Sequence, residues 1–196
     1  KSINKHNKQK LFLSAVDMRA AKSSEYIYFA LLKTLQNAQS KGFGNSDIKL
    51  EITNYSHPID SPSIIQYLES LGNSKQLVVL VFDQFEELFS KQELFDIFNH
   101  AKTLLTDTAG LKTNFCIGFA WKTDATTHSD HPAYFLWQSL SDYRVNFKLS
   151  PFSEAESKSL INRFESQIEQ QLHSDLKHNL IVGSQGYPWL LKKLCI

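Results

Sequence analysis

Leu77-Val-Val-Leu-Val-Phe82 runs directly into Asp83-Gln-Phe-Glu86-Glu87. An unbroken apolar run rich in β-branched residues describes a strand buried on both faces by helices, so Asp83 is the first polar group at its carboxyl end. A carboxylate dehydrated on one side at that place is a fixed anion able to hold Mg²⁺ directly or through water. A further acid within one turn can orient or deprotonate a water that attacks a phosphate. Glu86 and Glu87 compete for that task. Neighbours at a helix start point about 100° apart, so only one faces the strand end. Glu87 is the expected base and Glu86 its rival. The plainer alternative makes Asp83 a cap and the two glutamates solvated helix charges.

Other chemistry-bearing residues are sparser. Asp17-Met18-Arg19 follows an apolar run and reads as an ion pair at a strand end. His128-x-x-His131, with Asp124 and Asp130, lies in a Thr/Ser/Asp loop without zinc-ligand spacing and reads as solvated. No G-x-S-x-G elbow or Cys/His pairing supports another hydrolase class. Cys116 and Cys195 sit within apolar runs, where free cysteine behaves as a small buried hydrophobe, and suit a reduced, cytoplasmic compartment.

The elements that must position Asp83 alternate between strand and helix. Leu11–Val16 is a strand; Ser23 and Ser24 cap a helix striped by Ile27, Leu31, Leu35 and Ala38, which Gly42 and Gly44 end. A loop spans residues 45–60, and a short helix begins at Pro62. After the Leu77–Phe82 strand, helical periodicity runs from Gln92 to Thr106, and Phe115–Trp121 forms a second buried strand. Tyr143, Val145, Phe147 and Leu149 alternate with polar residues, as on an edge strand. Beyond Pro151 the pattern is all-helical. Ser153-Glu-Ala-Glu156 forms a capping box before a helix with Leu160, Ile161, Phe164, Ile168 and Leu172 inward, and Pro188 opens the last helix.

This order predicts an α/β fold, a three-layer sandwich with a mostly parallel sheet over residues 11–150, preceded by a polar linker over 1–10 and followed by a helical lid over 151–196. Leu77–Phe82 and Phe115–Ala120 are expected to be adjacent, parallel and central. Ligands of such sheets bind at the carboxyl ends of the strands.

In the 196 residues, hydrophobic types reach 42% and charged types 21%, enough for a packed core and against disorder. A net charge of +1 provides no basic field for nucleic acid. No apolar stretch is long enough to span a bilayer, and the polar first ten residues do not resemble a signal peptide. The chain starts with Lys and reads as part of a longer protein.

The Leu77–Leu88 segment resembles the Walker B region of P-loop NTPases of the STAND class, including NACHT-type and related AAA+-like ATPases. In that pattern, apolar residues precede an Asp, two variable residues and two acids. The resemblance implies that Asp83 holds Mg²⁺ and that Glu86 with Glu87 positions the attacking water. Phe115–Trp121 followed by Lys122 resembles the strand that ends in the γ-phosphate sensor, with Lys where the family usually has Arg. A Lys lacks the planar fork of Arg, so sensing would be looser. Gly186-Tyr187-Pro188 resembles the G-x-P motif of the helical lid, where Pro188 and its neighbours would pack on adenine; a helix stop followed by a Pro-initiated helix explains the same residues. ATP and Mg²⁺ are the implied cofactors. The implied partners are a nucleotide, the other domains of a longer chain and a nucleotide-dependent homo-oligomer.

The G-x-x-x-x-G-K-[ST] loop of that family occurs nowhere in the sequence. The expected function is therefore a part of a signalling or switch ATPase, inactive as this segment alone. The competing expectation is a P-loop-derived scaffold that has lost catalysis.

Overall fold

A computed structural model describes residues 10–111, 113–121, 131–147 and 149–194. The chain divides into two compact units, Lys1–Val145 and Asn146–Ile196. The first opens with β1 (Lys10–Asp17), so Lys10 belongs to a strand and not to the expected linker. A 3₁₀ turn at Met18–Ala20 leads to α1 (Tyr26–Ser40). After a second 3₁₀ turn, Pro58–Asp60, come α2 (Pro62–Asn73) and β2 (Gln76–Asp83). Short 3₁₀ turns at Phe85–Ser90 and Gln92–Leu94 then precede α3 (Asp96–Gly110), β3 (Phe115–Phe119) and α4 (Pro132–Gln138). Ser23 and Ser24 do not cap α1, whose N-cap is Glu25 without a side-chain bond.

The protein is a mixed α/β chain with an open, all-parallel sheet in the order β1-β2-β3. β2 is the middle strand, as expected. β3 pairs with it but stands at an edge among the described residues, contrary to its expected central place. The predicted edge strand Tyr143–Leu149 does not form among the described residues. Ser141–Tyr143 is a 3₁₀ turn, and Val145, Phe147 and Leu149 are 78%, 85% and 92% exposed. Alternation only makes a strand possible; a neighbouring edge must satisfy its backbone. Here Arg144 draws the chain into a turn instead, its guanidinium 4.1 Å over the Trp137 ring and donating to the Trp137 carbonyl at 2.9 Å.

The pleat decides where the core sits. Val78, Leu80 and Phe82 of β2 are fully buried and share a face with Phe12 and Val16 of β1 and with Phe115 of β3. Against that face pack Ile27, Leu31 and Leu35 of α1, Leu68 of α2 and Leu104 of α3. Right-handed crossovers that step in one direction along a sheet deliver their helices to one face. The opposite face carries Leu11, Leu13, Leu77, Val79, Val81 and Cys116, with Leu13 62% exposed. The expected burial of β2 by helices on both faces therefore holds for one face among the described residues. Cys116 is an exposed free thiol, not the buried hydrophobe expected; Cys195 lies outside the described residues.

The second unit holds α5 (Glu154–Ile168), α6 (Ser174–Ser184) and α7 (Pro188–Leu194). The capping box forms: the Ser153 backbone N–H donates to Glu156 at 2.8 Å, and the Glu156 N–H donates to the Ser153 hydroxyl. Its core is small, centred on Ile161, Leu180 and Leu191. Ile168, expected inward, is exposed at the end of α5. Among the described residues no helix is long and apolar enough to cross a membrane.

Candidate functional site

The parallel register of β1 and β2 ends on the pair Asp17 and Asp83. Register partners project from the same face, so two carboxylates leave adjacent strand ends together. Asp17 is occupied by Arg19: the Arg19 backbone N–H donates to Oδ1 at 2.9 Å, and its Nε donates to Oδ2 at 2.9 Å. These bonds hold the Asp17 carboxyl below its ordinary range and raise the guanidinium of Arg19, on which Glu87 and Asp83 also act. Lys91 donates to the Arg19 carbonyl at 3.1 Å, tying the turn after β2 to the turn after β1. Asp17, Arg19, Asp83, Glu87 and Lys91 therefore form one charged cluster at the carboxyl edge of the sheet.

Asp83 is half-buried, and its Oδ1 accepts the Gln84 N–H at 2.9 Å. Gln84 has φ 54° and ψ 44°, the left-handed conformation that turns the chain sharply out of β2. The turn is anchored from two sides. The Phe85 N–H donates to the Ala120 carbonyl at 3.1 Å, and the Ala120 N–H donates to the Phe82 carbonyl at 2.9 Å. The Phe85 ring is fully buried, with its centroid 4.7 Å from Phe119 and 5.4 Å from Phe98. Because Phe85–Ser90 is a 3₁₀ turn and not an α-helix, Glu86 and Glu87 diverge by about 120° and not 100°. Glu87 shares the field of Arg19 with Asp83, whereas Glu86 buries Oε2 with no hydrogen-bond partner among the described residues.

The other expected residues lie elsewhere. Lys122 is outside the described residues, as are Asp124, His128 and Asp130. His131 caps α4, its Nδ1 accepting the Ala133 N–H at 3.2 Å. Gly186 and Pro188 belong to the second unit. Gly186 has φ +76°, and its carbonyl accepts the Phe152 N–H at 2.7 Å; a Cβ there would lie 2.5 Å from the Phe152 carbonyl oxygen. Pro188 is the first residue of α7, between the exposed rings of Tyr187 and Trp189. Lys91 was missed by sequence reasoning, because only the folded turns bring it to Arg19. Asp17 and Arg19 were visible as an ion pair, but their place beside Asp83 depends on strand register.

No protein-family model matches the chain, and no curated protein matches it.

Proposed function

We propose that this chain supplies the metal-holding and water-activating part of a switch ATPase of the P-loop, STAND-like kind. The observation that supports it most is the register pair Asp17 and Asp83 at the end of the middle parallel strand, with Glu87 in the turn that follows. The donor set is made only of carboxylate oxygens, which fits a hard divalent cation such as Mg²⁺. Asp83 would hold the ion, which when bound supplies charge neutralisation at a phosphate. Glu87 takes the proton of an attacking water, and Arg19 fixes Asp17 beside it. No glycine-rich phosphate cradle occurs in the sequence, so the phosphates would be bound by a segment outside these residues.

The sheet face that no helix covers among the described residues supports the same view. Parallel sheets occur almost only with both faces covered, and Leu11, Leu13, Val79 and Val81 form an apolar surface suited to a second helical layer, which would complete a three-layer sandwich. The rival reading is a P-loop-derived scaffold that uses this face for association without catalysis; the missing cradle favours it.

Equilibrium Mg²⁺-ATP binding and single-turnover hydrolysis by the intact protein separate the two. Glu87→Gln is expected to keep ATP and slow hydrolysis by about 10²–10⁴-fold, the usual contribution of a general base. Asp83→Asn is expected to weaken Mg²⁺-ATP binding as well. Undiminished hydrolysis in Asp83→Asn, or in the double substitution of Glu86 and Glu87, would remove these acids from the reaction, and no hydrolysis by the unaltered protein would leave the scaffold reading.

A further inference from the structure

A second cluster lies towards the other end of α3 and does not depend on the ATPase reading. α3 starts near the carboxyl end of β2 and descends to the start of β3, so Asp107 sits about 16 Å along the axis from Asp96 at 1.5 Å per residue. There it meets His57 and Asp60, from the 3₁₀ turn that precedes α2. One donor atom from each of the three lies within 4.8 Å of the others. Nδ1 of His57 is 3.0 Å from Oδ1 of Asp107. The backbone at His57 is held in place, because its N–H donates to Oδ1 of Asn54 at 3.1 Å. His57 and Asp107 border a cleft of about 330 Å³ along the exposed side of α3, lined also by Asn99, Lys102, Thr103 and Thr106.

Asp107 itself supplies the independent observation. Its side chain is 7% exposed, and while Oδ1 is spent on His57, Oδ2 is buried without a hydrogen-bond partner among the described residues. A buried carboxylate ordinarily has its oxygens paired or coordinates a metal. Lys102 lines the same cleft, yet it makes no ion pair with Asp60 or Asp107 among the described residues.

We propose that His57, Asp60 and Asp107 form a site for a divalent transition metal of the Zn²⁺ kind. An imidazole with two carboxylates suits Zn²⁺, whereas Mg²⁺ demands an all-oxygen octahedron. Zn²⁺ ligands at about 2.0–2.2 Å lie roughly 3.3–3.6 Å apart in a tetrahedron. The His57 and Asp107 atoms already approach that spacing, and Asp60, exposed at the turn, needs to move by about an ångström. On binding, the metal takes the place of the proton between Nδ1 and Oδ1, which is released to solvent, and a bidentate Asp107 carboxylate would give Oδ2 its missing partner. Three protein ligands leave the fourth position to water.

Titration calorimetry of the chain with ZnCl₂, and with MgCl₂ for contrast, tests the site. One Zn²⁺ per chain is expected to bind, and Mg²⁺ to bind far more weakly. His57→Ala and Asp60→Asn alter exposed side chains, so circular dichroism is expected to show the native fold in both. Each is expected to lower Zn²⁺ affinity more than about tenfold, the lower end of what even an outer-shell partner is worth. No Zn²⁺ binding by the unaltered chain, or unchanged affinity in either variant, overturns the proposal.

Discussion

Asp17 and Asp83 are direct partners in the parallel pairing of β1 and β2, so two acids stand side by side at adjacent strand ends. Strands in a sheet are about 4.8 Å apart, a spacing at which like charges repel unless a cation intervenes. Arg19 is that cation. Its side chain grips Asp17 while Asp83 and Glu87 act on the same guanidinium. The arrangement concentrates acidic oxygens and leaves Asp83 and Glu87 without a side-chain ion pair of their own among the described residues.

Removing Arg19 tests this balance. Arg19→Ala is expected to return the Asp17 carboxyl towards its ordinary value, because the Arg19 bonds are the leading cause of its depression. A depressed carboxylate stabilises the fold above its unfolded value, and that contribution is lost as pH falls through the folded one. In the variant the contribution should shrink to what the backbone N–H of residue 19 and the Lys91 charge still supply. Carboxyl NMR titration of Asp17 reads the change; an unaltered titration would separate Arg19 from the site.

In the second unit the acid-sensitive contact is Glu165. Its carboxylate accepts the Leu172 N–H and pairs with Lys177 at 2.8 Å, and it is held below the ordinary range by Lys177 first and Leu172 second. The stabilisation is present above the unfolded value near 4.5 and disappears as pH falls through the lower folded one. Exchange protection in α5 and α6, taken relative to the intrinsic rate at each pH, is expected to fall in that acidic window. Glu165→Gln should flatten the dependence, and an equally steep profile in the variant would count against it.

Gly186→Ala combines a positive φ of +76° with a Cβ placed 2.5 Å from the Phe152 carbonyl oxygen. The left-handed penalty and the overpacking together cost roughly 2–4 kcal/mol. With a core built on Ile161, Leu180 and Leu191, the unit has little reserve. Exchange protection is expected to fall in α5–α7 and to persist in α1–α3. A native exchange pattern throughout would show that the loop relaxes freely.

Phe85→Ala should be among the most damaging changes in the first unit. The fully buried ring packs on Phe82, Phe98, Phe119 and Trp137, and large-to-small changes of this kind cost about 3–5 kcal/mol. Chemical denaturation measures the loss. A cost below about 1 kcal/mol would mean that the pocket collapses around the gap.

Local chemistry made part of this architecture readable from residues alone. The apolar run before Asp83 marked the middle strand, Pro62 and Pro188 marked helix starts, and Ser153 with Glu156 marked a capping box, because each signal acts within one turn or one strand of its own position. Partnership was not readable. Tyr143–Leu149 has the alternation of a strand but pairs with neither edge of the sheet among the described residues, and Arg144 turns the chain onto Trp137 instead. Leu13 and Cys116 look like core residues, yet crossovers delivered to one face leave them exposed. By itself the sequence determined the three strands that form, most of the helices, and where an acid follows the buried run. Only the tertiary structure decided that Asp83 stands beside Asp17, and that Asp107 meets His57 across a separation of 50 residues. Strand register and helix docking are set by contacts distant along the chain, and no local pattern encodes them.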